Sequence, residues 1–156
     1  NAPSASSCSS LPLLAEYGVT HAEPGHALTG TIPSNQKGDQ PERIAMLWLS
    51  EISHNFRGDS YCYGGGYYRR GHAQNALVFT PENDAPIAAK LKPVDDSSID
   101  YYLPVAGEFP VSSAVIFCFR TQIFVTRSDV VLVSGIQRGV VEIVARYDSL
   151  GNILED

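Results

Sequence analysis

Val140-Val141-Glu142-Ile143-Val144-Ala145-Arg146-Tyr147 decides the fold class, because apolar and polar residues alternate along most of it. Val141, Ile143, Ala145 and Tyr147 fall on one face of an extended chain, with Glu142 and Arg146 on the other, which predicts a half-buried antiparallel strand. Working outward, similar signals recur at Tyr67–Arg70, Ala76–Thr80, Ile87–Leu91, Ile99–Val105, Val111–Arg120, Gln122–Thr126 and Asp129–Val133. Turn formers separate them: Pro81-Glu82-Asn83-Asp84, Asp95-Asp96-Ser97-Ser98, Ser134-Gly135 and Asp148-Ser149-Leu150-Gly151-Asn152. Short strands at this spacing predict a mainly β protein: an antiparallel sandwich, a barrel or a small propeller-like meander with at most one or two short helices.

Toward the N-terminus the strand pattern fades. Residues 1–26 are rich in Ser, Ala, Pro and Gly and read as an extended arm or short edge element, and Ala27–Pro33 as a short strand. A helix is predicted from about Pro41 to Ser53, with Pro41 near its first turn, Glu42 at the positive end of its dipole, and Ile44, Leu47, Trp48 and Ile52 on one face. The apolar run Ile44–Leu49 also suits a buried strand. The 156 residues amount to one domain, at roughly 150 residues per domain.

Charge and cysteine content narrow the function classes. Hydrophobic residues make up 44% and charged residues 18%, a globular composition. Eleven Lys and Arg against seventeen Asp and Glu give a net charge of −6, the wrong sign for nucleic acid or an anionic membrane surface. The apolar runs Ala114–Phe119 and Val130–Val133 are far too short to span a bilayer as a helix. The start Asn1-Ala2-Pro3-Ser4 has the look of a chain after signal-peptide removal, so a periplasmic or secreted location is expected. Of the three cysteines, Cys8 and Cys62 lie in polar, turn-like surroundings and are expected to form a disulfide, with Cys62–Cys118 next and three free buried thiols of a cytosolic protein as the other alternative; Cys118 sits between Phe117 and Phe119.

Catalytic patterns are incomplete. His21-Ala22-Glu23 matches half of a zinc deaminase signature but lacks the Pro-Cys-x-x-Cys half, and His26 is not at helical zinc-site spacing from His21. Gly58-Asp59-Ser60 has the look of an esterase nucleophile block, yet no histidine follows His72. Cys62 and His72 lack a third orienting group. Gly64-Gly65-Gly66 has no Gly-Lys-Ser/Thr ending to hold phosphate, and Asp95, Asp96 and Asp100 lack the Gly and Glu of a calcium loop. No enzyme, metal or cofactor is expected on these grounds.

A contact surface is the stronger expectation. Tyr61, Tyr63, Tyr67 and Tyr68 lie within eight positions, interleaved with glycines and followed by Arg69 and Arg70. Tyr and Arg are favoured at protein-binding surfaces, supplying rigid area and bidentate hydrogen bonds; the alternative is that the tyrosines line a core edge. Ser97 and Ser98, followed by Tyr101-Tyr102, and Ser112 with Ser113 are further candidate tips.

In format, through the Asn1-Ala2-Pro3 start, the Cys8 and Cys62 pair and the Tyr61–Arg70 and Ser112-Ser113 loops, the chain resembles periplasmic immunity proteins that protect bacteria from cell-wall-cleaving effectors of type VI secretion. The resemblance implies a monomer or one-to-one complex in which a loop blocks the active site of an effector enzyme, with the negative charge steering encounter with a basic partner. Two other classes fit the composition: a structural β subunit that assembles through strand edges, and a carbohydrate-binding module stacking sugars on Trp48 and the tyrosines.

Overall fold

The computed structural model describes residues 10–23, 43–68, 75–92, 99–118, 124–125 and 127–155. The protein is mainly β. Among the described residues one short helix, α1 (Leu11–Glu16), precedes nine strands: β1 (Leu47–Phe56), β2 (Asp59–Tyr68), β3 (Asn75–Phe79), β4 (Ile87–Lys90), β5 (Ile99–Ala106), β6 (Ala114–Cys118), β7 (Phe124–Val125), β8 (Val130–Ser134) and β9 (Glu142–Tyr147). Seven of them form one antiparallel sheet in the order β4-β3-β6-β1-β2-β5, with β7 also on β2, while β8 and β9 form a separate two-stranded sheet. The larger sheet curls so far that its ends approach, Leu91 bridging Val105 and the Lys92 amide donating to the Pro104 carbonyl at 2.9 Å.

Curling creates an inside and an outside, and alternation decides which residue goes where. Ile52, Cys62, Val78, Leu103, Val105, Val115 and Phe117 are fully buried, Ala76, Ala89 and Leu91 complete the core, and Trp48 and Phe109 pack against it. On β3 the pattern is strict: Ala76 and Val78 point in, Asn75, Leu77 and Phe79 point out.

Three expectations are corrected. The segment expected to be a helix from Pro41 to Ser53 holds strand β1 instead, because Val115 and Phe117 of β6 offer Ser50 and Trp48 a ladder to pair with. Pairing with a neighbouring strand overrides the local helical period. Conversely, the N-terminal arm contains α1, which starts with a proline in its first turn and ends where Gly18 (φ 71°) donates to the Ala15 carbonyl at 3.0 Å. Finally, β9 is antiparallel as expected but not half-buried, since Ile143 is 55% exposed. The strand expected at Ala27–Pro33 and the turn at Asp95–Ser98 lie outside the described residues.

The β1–β2 connection shows how one end of the curled sheet is tied. Arg57 (φ 53°) and Gly58 (φ 82°) form a two-residue turn with both central φ angles positive, the hairpin geometry that matches strand twist. Beyond it the buried Ser60 hydroxyl donates to the Asn55 Oδ1 at 2.6 Å and accepts from the Phe109 amide at 2.9 Å, while Asn55 Nδ2 donates to the Phe109 carbonyl at 2.9 Å. Asp59 forms an ion pair with Lys92 at 2.5 Å. Ser60, in the esterase-like Gly58-Asp59-Ser60 block, is therefore bound into the scaffold.

Candidate docking surface

The outer face of the curled sheet carries an apolar row, flanked by the exposed Glu51, Asn75 and Lys90, where a solvated face calls for polar residues. By register, Leu49 on β1 pairs with Ile116 on β6, Ile116 pairs with Leu77 on β3, and Leu77 pairs with Ala88 on β4. One row further along, Glu51, Ala114 and Phe79 are in line. Leu49 is 61% exposed and Leu77 and Phe79 about 40%, while Ile116 is half-buried. These residues alternate with the core pairs Trp48–Phe117, Phe117–Ala76 and Val115–Val78 on the other side of the same strands. An antiparallel sheet with one wet face shows apolar-in, polar-out alternation; strands apolar on both sides belong to sheets covered on both.

Beside this row β1 and β2 part company. Their ladder ends at Ile52 and Cys62, across a bulge at Ser53. Further on, Leu47–Glu51 pairs with β6 and Tyr63–Tyr68 pairs with β5 and β7. Gly65 and Gly66, at φ 58° and 75°, put a second irregularity into β2 between Tyr63 and Tyr67. Only glycine adopts that conformation readily. The Gly65 carbonyl accepts from the Arg127 amide at 2.9 Å, and the Ser50 hydroxyl spans the gap to the Tyr63 carbonyl at 2.6 Å. Trp48, Leu49, Tyr63, Gly65, Ser112 and Arg127 help to line the resulting open hollow of about 470 Å³.

Tyr63, which helps to line the hollow, belongs to an aromatic cluster. His54 stacks on Tyr61 with centroids 4.9 Å apart, meets Tyr102 edge-on at 5.2 Å, and Tyr102 lies 6.0 Å from Tyr63. The Arg127 guanidinium sits over the Tyr101 ring at 4.7 Å. The His54–Tyr61 stack and the edge-on His54–Tyr102 contact are arrangements that aromatic rings favour, and Tyr63 and Tyr102 are tilted to one another.

The sequence-predicted contact residues are therefore dispersed. Tyr61 is half-buried and Tyr63 exposed; Tyr67 and Tyr68 belong to β2, opposite Asp100 and Ile99 of β5 and Val125 and Phe124 of β7. Arg69, Arg70, Ser97 and Ser98 lie outside the described residues. Ser112 is exposed at a turn with φ 68°, its amide donating to the Ile52 carbonyl at 2.8 Å, whereas Ser113 is buried and its carbonyl accepts from the Ile52 amide at 2.9 Å. Cys62 is a free thiol in the middle of the core, where burial pushes its pKa up to about 12, rather than half of a surface crosslink; Cys8 lies outside the described residues. The thiol is there because Cys62 is on the inward side of β2, between outward Tyr61 and Tyr63.

Sequence reading missed His54 and the outer row. His54 lies just past the segment expected to be helical, and the row becomes visible only once the register is known. His21, beside the Thr20 hydroxyl at 2.9 Å, is exposed, and the described residues include no group of three His, Cys, Asp or Glu side chains placed to hold a metal. No helix among them is long and apolar enough to cross a membrane.

Comparison with known proteins adds a size relationship. A family described as YhfX-like, C-terminal domain, matches residues 47–143, from the first residue of β1 into β9. The "Uncharacterized protein YhfX" of Escherichia coli (strain K12) is 84% identical over 154 residues, 99% of this chain, yet the chain spans 40% of that protein.

Proposed function

The chain belongs to the YhfX-like C-terminal domain family, and from that premise we propose that it is a protein-docking domain whose outer apolar row packs against the rest of a longer polypeptide. The observation that carries this reading is the line Leu49–Ile116–Leu77–Ala88, apolar residues in register across four strands on the side of the sheet away from the core. The size relationship supports it, because three-fifths of the relative lies beyond the stretch this chain matches. A partner already in the same polypeptide binds without the translational cost that two separate molecules incur.

Energetics favour coverage of the row. Fully burying a Leu, Ile or Phe side chain contributes about 1.5–3 kcal/mol, and the exposed fractions of Leu49, Leu77 and Phe79 leave a substantial part of that unrealised. The inhibitor reading sets a similar surface against a separate effector enzyme. A partner within the polypeptide is preferred because a docked domain need not bring a complete outer surface of its own.

Calorimetry of the longer polypeptide with and without Leu77→Lys tests the proposal. Docking predicts that the native domain melts at higher temperature in the long chain than alone, and that the substitution removes this difference. Identical melting of the domain in both settings overturns it.

A further inference from the structure

We propose that the β8–β9 hairpin is a second docking element, lying with one face against the same remaining three-fifths of the longer polypeptide. This rests on the docking reading above and adds a contact to it.

The hairpin is built to be covered. Among residues 127–155 no side chain is buried, and β8 and β9 pair with no other strand among the described residues. Two-stranded sheets are at best marginally stable in water and need a third strand or a packed face. Here one face is ready for packing. Val130 pairs with Tyr147 and Leu132 with Ala145, and Ile153 comes back to bridge Tyr147, so three chain segments present apolar side chains together. Val131 pairs with Arg146 and Val133 with Ile143 on the opposite face, which carries the Arg146 charge, while Ser134–Glu142 closes the hairpin beyond Leu132.

Its edges are unequal too. The end of β9 is capped, the Leu154 amide donating to the Arg146 carbonyl at 2.9 Å. By contrast β8, Val130-Val131-Leu132-Val133-Ser134, carries no charge and no proline, the usual devices that keep an exposed edge from pairing. A strand left without them is one that something else covers.

The occupant follows from where the hairpin lies in its relatives. The family match runs through β8 and into β9, and the 84% identical relative contains the whole hairpin, with three-fifths of its own length beyond the matched stretch. The hairpin therefore occurs within reach of a large body joined to the same backbone. That tether favours the body over a second copy, which must be recruited from solution.

Amide hydrogen exchange, run on the isolated chain and on the longer polypeptide, is the test, with Leu77→Lys calorimetry beside it. The expected result is several-fold or greater slowing of exchange at β8 and β9 amides in the longer polypeptide, at every protein concentration. Fast exchange in both settings while Leu77→Lys still uncouples the domain overturns the hairpin contact and leaves the outer-row reading standing. Fast exchange together with a silent Leu77→Lys overturns both. Slowing that depends on concentration and accompanies a doubled mass in light scattering assigns the face to a second copy and overturns the proposal. Leu132→Asp supplies an independent check: exchange at the hairpin in the longer polypeptide returns to the fast rate, while the core strands β3 and β6 stay protected.

Discussion

Leu77 on β3 and Ile116 on β6 are cross-strand partners on the outer face of the sheet, one step along from Val78 and Val115, which are partners on the inner face and fully buried. Two adjacent apolar pairs thus face opposite ways from the same two strands. One is enclosed in the core; the other is partly exposed.

Substitutions on the two faces should separate accordingly. Leu103→Ala, at a fully buried core position, is expected to cost about 2–5 kcal/mol by denaturant unfolding of the isolated chain. Leu77→Lys, 39% exposed, should change the same measurement by no more than about 0.5 kcal/mol. Equal losses contradict an outer face that is free in the isolated domain.

Gly135 should be essential to the hairpin but not to the curled sheet. It sits at φ 81° before the single helical turn Ile136–Arg138, and a Cβ built on it stands 2.1 Å from the Val140 carbonyl oxygen. Gly135→Ala therefore collides with backbone in a conformation already unfavourable for a side chain. In nuclear magnetic resonance spectra of the isolated variant, the cross-strand signals between β8 and β9 should disappear while those between β3 and β6 persist.

Cys62 should resist alkylation at pH 8 in the folded protein and react once denaturant opens the core. The thiolate is the nucleophile, and burial disfavours it in the folded state, raising the pKa from about 9 to about 12. The linkage has a definite sign. Above the unfolded value only the unfolded chain gives up this proton, so the contribution to stability is fully present below about pH 9 and is lost as pH rises toward and through about 12. Peptide mapping under non-reducing conditions checks the same point, and recovery of a Cys8–Cys62 crosslinked peptide from the native protein contradicts it.

Asp148 holds the turn after β9 and should do so less well in acid. Its carboxylate accepts from the Asn152 side chain at 2.9 Å, the Asn152 amide at 2.8 Å and the Leu150 amide at 2.9 Å, which keeps its pKa below the usual value, the Asn152 side chain acting most strongly. The turn is thus supported above the ordinary carboxylate pKa and released as pH falls through the lowered one. Protection of the Asn152 and Leu154 amides, taken relative to the intrinsic exchange rate at each pH, should fall across that window in the native chain. Asp148→Ala should show the lower protection throughout.

Much of the architecture was legible because it rests on alternation and turn chemistry. Ala76–Thr80 and Ile87–Leu91 emerge as β3 and β4, with the turn at Pro81–Asp84 between them, and Ser134-Gly135 and Asp148–Asn152 bound β8 and β9. Leu47–Phe56 was not legible, since Ile44, Leu47, Trp48 and Ile52 fit a helical face just as Trp48, Ser50 and Ile52 fit a strand. The ladder to β6 decides between them, and that is a long-range contact. The outer row escapes a reading of the sequence for a related reason. Clustered tyrosines and arginines stand out in composition, whereas Leu49, Ile116 and Leu77 are far apart in the chain and align only in the sheet. Their trace in the sequence is the continuity of Leu47-Trp48-Leu49 and Ala114–Cys118, runs with no polar residue on the supposedly wet side.

Hydroxyl-radical footprinting of Leu49, Leu77 and Phe79 tests the central claim most directly, comparing the isolated chain with a polypeptide of the relative's full length. Docking predicts oxidation of all three in the isolated chain and strong suppression in the longer one, with Leu103 protected in both. Equal oxidation of the three side chains in the two settings would contradict the account.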